Sequence, residues 1–142
     1  MTDLYDTDIL TWSECQAALL RRVAAGERIN DQVDWQNVIE EIESVGSEQW
    51  HAVEGLLTQA LRDMLKAQAW PPSRDAPSWR ADSIDFRQQA ANRFAPSMVQ
   101  RIDVAKLYRQ ARRSLPETMD GVPPLPVPEE CPVTLDELLS EP

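Results

Sequence analysis

The sequence predicts an all-α fold: a single-domain helical bundle or orthogonal array of five to six helices, with a proline-rich C-terminal strap and a short terminal helix. Three observations support this prediction. Apolar residues recur three or four positions apart along most of the chain, as they do on one face of a helix. Glycine and proline stand between these runs, where they commonly end helices. Stretches that alternate apolar and polar residues, which would indicate strands, are almost absent.

Two helices are predicted in the first third of the chain. The first begins near Asp6 or Thr7, either of which can cap it, and Gly26 ends it. The second begins after Asp34, and Gly46-Ser47 is expected to interrupt it, with Ser47 able to cap a continuation. The apolar face of the first comprises Ile9, Trp12, Leu19, Leu20 and Val23, and that of the second comprises Val38, Ile39, Ile42 and Val45. We expect both faces to be buried.

The most regular helical pattern runs from Val53 to Leu65 and predicts the central core helix, which Pro71-Pro72 ends. A further helix is expected over residues 79–93, followed by a short helical turn at Pro96. Asp103 is then expected to cap the next helix, which ends before Pro116.

The C-terminal segment has a different composition. Residues 117–132 hold five of the eleven prolines, which favour an extended strap. Thr134 and Glu137 form a capping-box pattern that predicts a short helix over Leu135–Ser140. We therefore predict a helical core domain over residues 1–116 and a docked, acidic, proline-rich strap with its helix over residues 117–142.

Several features indicate a soluble cytoplasmic protein without a membrane association. The N-terminus is acidic and lacks the basic and apolar regions of an export signal. No apolar run approaches the roughly 18 residues that a membrane span needs. Cys15 and Cys131 show no pairing pattern and are expected to be reduced. We expect both to be buried apolar contacts, because a reactive thiolate needs positive charge nearby and Cys131 instead follows Glu129 and Glu130.

The charges are distributed unevenly along the chain. The net charge of −10 comprises −8 in residues 1–70, +5 in residues 71–115 and −7 in residues 116–142. An acidic chain repels nucleic acid, so nucleic-acid binding is the less favoured use of the arginines in residues 80–113. Among them, Arg80 and Arg112 are candidate binding residues, which we expect to pair with carboxylates of this chain or of a partner.

The densest polar cluster lies between Asp34 and Glu43. Asn37 and Glu41 fall on one helical face, whereas Glu40 falls on another. Carboxylates paired on a helix can hold a metal or act as acid and base, but a solvated acidic face is the simpler interpretation. Glu48 and His51 form a Glu-x-x-His step, of which a di-iron site needs two, and the chain has one histidine. We therefore predict no metal, no cofactor and no catalytic residue.

Several stretches together resemble the bacterial family called domain of unknown function 29. The resemblance covers nearly the whole chain in the family's order and implies an all-helical domain without an assigned activity. Asp63 departs from the pattern, because family members often have a histidine there. The matching stretches are Tyr5–Asp8 with Trp12 and Gln16, Asn37–Gly46, Leu65-Lys66, Ser78–Arg80, Tyr108–Arg112 and Glu129–Leu139.

The leading functional prediction is a small acidic protein-interaction module, either antitoxin-like or an adaptor. Its partner would be a protein, with a basic one best matched to the acidic surface, and homo-oligomerisation is compatible with this function. One alternative is a metal-dependent or hydrolytic enzyme that uses a carboxylate and histidine cluster, although the sequence favours a non-enzymatic role. The other is nucleic-acid binding through the arginines of residues 80–113. The binding candidates are Asn37, Glu40, Glu41, Arg80 and Arg112, and the enzyme cluster would be Glu40, Glu41, Glu48 and His51.

Overall fold

The computed structural model describes residues 3–140 and confirms the all-α prediction. It contains six α-helices and two short 3-10 turns, at Asn30–Gln32 and Pro96–Met98. Within the described range, β pairing amounts to one isolated bridge between Met119 and Val122. None of these helices combines the length and the hydrophobicity that crossing a bilayer requires. The helices are α1 (Leu4–Thr7), α2 (Ile9–Ala24), α3 (Trp35–Ala69), α4 (Ala76–Arg93), α5 (Val104–Arg113) and α6 (Leu135–Leu139).

The described chain divides into two compact units, residues 3–47 and residues 48–140. Each has its own cluster of buried apolar side chains. This partition differs from the division between a core domain over 1–116 and a strap over 117–142, which stays a prediction.

The first unit contains α1, α2 and the beginning of α3. Its buried side chains are Trp12, Val33 and Val38, with half-buried residues such as Leu19 packed against them. The predicted start of the first helix at Asp6 or Thr7 is shifted. Asp8 instead caps α2 by accepting a hydrogen bond from the Thr11 amide at 3.1 Å, and α1 forms a separate turn before it.

Helix α3 continues through Gly46 and Ser47, where the sequence predicts an interruption. Glycine destabilises a helix by only about 1 kcal/mol relative to alanine, so the helical residues on both sides can offset this cost. Ser47 does not cap a new helix. Its hydroxyl donates back to the carbonyls of Glu43 and Ser44, as a serine inside a helix does.

The second unit is built around the predicted core helix segment. Val53, Leu57, Leu61 and Leu65 of α3 are at most 2% exposed, which confirms the pattern that predicted this face. Other elements of the same unit complete the cluster. They contribute Ala90 of α4, Met98, Ile102, Leu107, Tyr108 and Ala111 around α5, and Leu138 of α6.

The proline-rich strap is largely exposed but is fixed at three points. The Trp70 indole donates to the Val122 carbonyl at 2.9 Å, and the Leu125 amide donates to the Ala69 carbonyl at 2.8 Å. The Tyr108 hydroxyl donates to the carbonyl of Pro128. These bonds hold a segment that has no regular secondary structure of its own.

Helix α6 forms the C-terminal end of the strap. The predicted capping box between Thr134 and Glu137 is present, and Leu138 is 1% exposed. Arg87 donates to the carbonyls of Glu137 and Leu138, which satisfies backbone acceptors at the end of this short helix. Cys131 is half-buried against the core as predicted, whereas Cys15 is exposed, contrary to prediction, because it lies off the buried side of α2.

Candidate interaction surface

A network of hydrogen bonds joins the helices of the first unit. The Trp12 indole and the Asn37 side-chain amide donate to the Asp34 carboxylate at 3.0 and 2.7 Å. The Asp34 backbone amide donates to Gln16 Oε1 at 2.8 Å. The Tyr5 hydroxyl donates to Glu41 Oε1 at 2.5 Å, and the Tyr5 ring packs edge-on against Trp12. Two predicted binding residues, Asn37 and Glu41, therefore make contacts within the unit.

The pKa values of two groups reflect these hydrogen bonds. Hydrogen bonds from Asn37 and then from Trp12 lower the pKa of the Asp34 carboxyl, because they stabilise its charged form. The hydrogen bond to Glu41, assisted by burial, raises the pKa of Tyr5 to about 12. At neutral pH, Asp34 is thus an acceptor and Tyr5 a donor, which are the states that the network requires.

The same α3 segment also exposes large apolar side chains. Ile39 is 51% exposed, Ile42 68%, Val45 61% and Trp35 42%. We call these four residues the α3 stripe. The prediction that Ile39, Ile42 and Val45 are buried is wrong. Of the predicted face, only Val38 belongs to the buried cluster with Trp12 and Val33. Ile39 and Ile42 point to one side of the packed row, and Val45 lies about two turns beyond Val38 along α3, where it is exposed.

Acidic residues accompany the α3 stripe. Glu40 and Glu43 are exposed on the same helix, and Glu40 therefore belongs to a solvated acidic face. The sequence has no lysine or arginine between Arg28 and Arg62. An apolar surface with uncompensated carboxylates beside it can attract a cationic, amphipathic ligand.

The carboxylate and histidine cluster of the enzyme alternative is not assembled in residues 3–140. No group there brings together three or more carboxylate, imidazole or thiol side chains that could hold a metal. His51 is exposed and its Nδ1 lies 3.0 Å from Glu54 Oε1, so its partner is Glu54 rather than the predicted Glu48. The metal-dependent alternative stays a prediction.

Within the described chain, the arginines of residues 80–113 form no ion pair with a carboxylate, and their pairing with a partner stays a prediction. Between residues 3 and 140, Arg22 and Glu27 form an ion pair, and His51 makes a side-chain contact with Glu54. Arg80 is exposed on α4. The chain's acids lie elsewhere, mainly in residues 3–70 and in the strap.

Arg112 lies in a cleft of the second unit. The cleft has a volume of about 840 Å³ and lies between the end of α5 and the strap. Arg109 and Arg113 share its α5 wall with Arg112, since residues three and four apart are neighbours on a helix. The strap contributes apolar contacts from Leu125 and two carboxylates. The full lining is Arg109, Arg112, Arg113, Leu115, Pro124, Leu125, Pro126, Val127, Glu129 and Glu130.

Sequence reasoning missed the indole hydrogen bonds that position these elements. Trp12 bonds Asp34 and Trp70 bonds Val122, and both rings are at most 5% exposed. A buried indole N–H usually bonds an acceptor, which is a usable signal, but the sequence does not indicate which acceptor, and the buried Trp50 N–H has none among the described residues.

Comparisons with known proteins agree with this architecture. A crystal structure of an alpha-helical protein of unknown function from Rhodospirillum rubrum ATCC 11170 is similar, with a TM-score of 0.68 and 25% identity. The alignment covers 99% of this chain and 92% of that one. No curated protein matches significantly. The family model described as Domain of unknown function DUF29 matches residues 4–142, nearly the whole chain. The chain therefore belongs to the DUF29 family.

Proposed function

We propose that this protein is a protein-interaction module that binds a basic protein through the α3 stripe. The observation that carries this proposal is the exposure of Ile39, Ile42 and Val45, each more than half exposed on one helix. Single exposed apolar residues are ordinary on protein surfaces, whereas a contiguous apolar surface commonly marks an interaction site.

The location of exposed apolar side chains supports the proposal. Residues 3–47 make up about a third of the described chain but carry seven of its eleven exposed large hydrophobic residues. In the first unit these are Leu4, Ile9, Leu10, Trp35, Ile39, Ile42 and Val45, and in the second Ile84, Val99, Val122 and Leu125.

The hydrogen-bond network supports a preorganised surface. Trp12 of α2 bonds Asp34 and Tyr5 of α1 bonds Glu41, so the α3 segment that carries the stripe is fixed before any partner arrives. Asn37 adds a hydrogen bond to Asp34 from within the same segment. A preformed surface avoids much of the entropy cost of ordering on binding. This suits an adaptor or an antitoxin-like protein, which must recognise a folded partner.

The partner's charge follows from the carboxylates beside the stripe. Glu40 and Glu43 have no arginine or lysine near them in sequence, and the whole chain carries a net charge of −10. Electrostatic complementarity accelerates encounter and selects partners, so a cationic surface is the best match.

The proposal is tested by affinity purification of the tagged chain with two matched variants. Ile42→Asp places a charge in the α3 stripe, whereas Ile84→Asp places the same charge on an exposed apolar residue of α4. We expect the wild type and Ile84→Asp to recover the same basic protein in stoichiometric amount, and Ile42→Asp to lose it. Recovery by Ile42→Asp at the wild-type level would contradict the proposal.

The arginine cleft favours a second candidate function, the binding of an anionic ligand such as a nucleic acid. Arg109, Arg112 and Arg113 line it without an ion pair in the described chain. A mobility-shift assay at about 50 mM salt tests this function, since charge-driven binding is strongest at low salt. If the wild type produces no shift, or if Arg112→Ala produces the same shift as the wild type, nucleic-acid binding through this cleft is contradicted.

A further inference from the structure

Gly46 lies inside α3 although nothing in the described chain requires a glycine there. Its φ is not in the left-handed region, which among the described glycines is adopted by Gly26 and Gly121. A Cβ built on Gly46 meets no atom within 4 Å. Glycine is the poorest helix former after proline. The sequence thus accepts a weaker helix at this position without a gain in packing within its own unit.

Gly46 continues the α3 stripe. Trp35, Ile39, Ile42 and Gly46 follow one another at intervals of four, three and four residues, which places them on one face of the helix. At Gly46 that face has no side chain, so it is a notch beside the most exposed apolar residue, Ile42. Glycine permits the close approach of another backbone.

We propose that the α3 stripe docks a cationic amphipathic α-helix of another protein, which crosses α3 at Gly46; this inference rests on the proposed function. The apolar face of the incoming helix covers Trp35, Ile39 and Ile42. Its lysine and arginine side chains lie beside Glu40 and Glu43, and its backbone approaches α3 most closely at the notch.

The secondary structure of α3 favours a helical ligand. An apolar row with a spacing of three and four residues forms ridges and grooves that match the side-chain rows of a second helix. An extended peptide binds by adding a strand to a sheet edge. The backbone amides of α3 are bonded within the helix, so they offer such a strand no ladder.

The distribution of charge favours a different protein over a second copy of this chain. Residues 29–47 contain five acidic residues and no lysine or arginine. Two α3 stripes packed on each other would bring Glu40 and Glu43 of both copies together without a cation from this segment. Like charges placed across an interface disfavour the complex, so the cations come from the ligand.

The test measures binding of the full chain to a synthetic helical peptide by fluorescence anisotropy. The peptide carries leucine in a helical row and lysine on both sides of that row, and a second peptide replaces each lysine with glutamate. We expect the lysine peptide to bind the wild type and the glutamate peptide to bind at least about tenfold more weakly, in line with the cost of like-charge contacts.

Two glycine variants separate binding from helix stability. Gly46→Ala and Gly55→Ala both add a methyl group to α3 that meets no atom of the free chain. Each should stabilise folding by about fivefold in the equilibrium constant, because alanine is the better helix former. Only Gly46→Ala should lower the affinity for the lysine peptide, by about tenfold, because its methyl group would overpack the point where the two helices cross.

Each outcome bears on a distinct step. Equal affinity of Gly46→Ala and wild type would overturn the helix crossing, while loss of the cellular partner by Ile42→Asp would still support the proposed function. Tighter binding of the glutamate peptide than of the lysine peptide would overturn the inference that the ligand is cationic. A dimer in sedimentation analysis that Ile42→Asp abolishes would identify a second copy as the occupant and overturn this inference.

Discussion

The exposure of the α3 stripe predicts how differently two apolar residues of α3 contribute to stability. Leu57 is 0% exposed, and replacing a buried leucine with alanine costs about 2–5 kcal/mol through lost transfer free energy and the cavity that remains. We expect Leu57→Ala to lower the free energy of unfolding by about 3 kcal/mol.

Ile42→Ala should behave differently although both residues lie on the same helix. Full burial of an isoleucine side chain contributes roughly 1.5–3 kcal/mol to the free energy of unfolding. Ile42 is 68% exposed, so its substitution removes about a third of that amount, or about 0.5–1 kcal/mol. Alanine returns up to about 0.7 kcal/mol as the better helix former. The two effects nearly cancel, and the change in unfolding free energy should stay within about 0.5 kcal/mol of zero.

Urea unfolding followed by circular dichroism measures both variants. The measurement is repeated at several protein concentrations, because self-association would make the apparent stability depend on concentration. A loss of more than about 2 kcal/mol for Ile42→Ala at low concentration would show that the free chain itself covers the stripe. That result would refute the argument that the stripe is available to a partner.

Three further predictions follow from the polar contacts. Tyr5 should ionise near pH 12, so the stability linked to it is present below about pH 10 and is lost as pH rises toward 12. Because burial also raises the pKa of Tyr108, the test is the difference between wild type and Tyr5→Phe in an ultraviolet titration, and a difference spectrum that titrates near pH 10 would contradict this assignment. Because the pKa of Asp34 is lowered in the folded state, its carboxylate contributes stability above about pH 3.9, and this stability is lost as pH falls through the pKa of the folded state. Asp34→Asn should therefore reduce the dependence of the unfolding free energy on pH in the acid range. An unchanged dependence would contradict the prediction. Thr134→Ala removes the cap of α6 and should cost about 1 kcal/mol in thermal unfolding, whereas Thr58→Ala, whose hydroxyl bonds a carbonyl within α3, should cost less; equal costs would argue against the cap.

The helices were predictable where periodicity and capping residues agree. The run from Val53 to Leu65 predicts its own burial because one chain segment supplies a complete apolar face. Asp103 and Thr134 mark helix starts because their side chains bond nearby amides, which is a local interaction. The predicted interruption at Gly46 was wrong because helix propensity is a weak preference that the flanking residues override.

The candidate site was less predictable for a different reason. Periodicity shows that Ile39 and Ile42 form an apolar face but not which molecule covers it, so a surface for a partner and a face for the core read alike in one sequence. The positions of Arg109 and Arg112 opposite the strap depend on contacts between distant segments. Composition alone does not specify those contacts.

The contiguity of the first unit has a consequence for synthesis of the protein. Its buried residues Trp12, Val33 and Val38 emerge early from the ribosome, whereas the core of the second unit waits for Leu138. Chains fold in the order in which they are made, from the N-terminal end. The α3 stripe would therefore be displayed on the nascent chain before the core of the second unit is complete, and the proposed partner helix would have access to it at that stage.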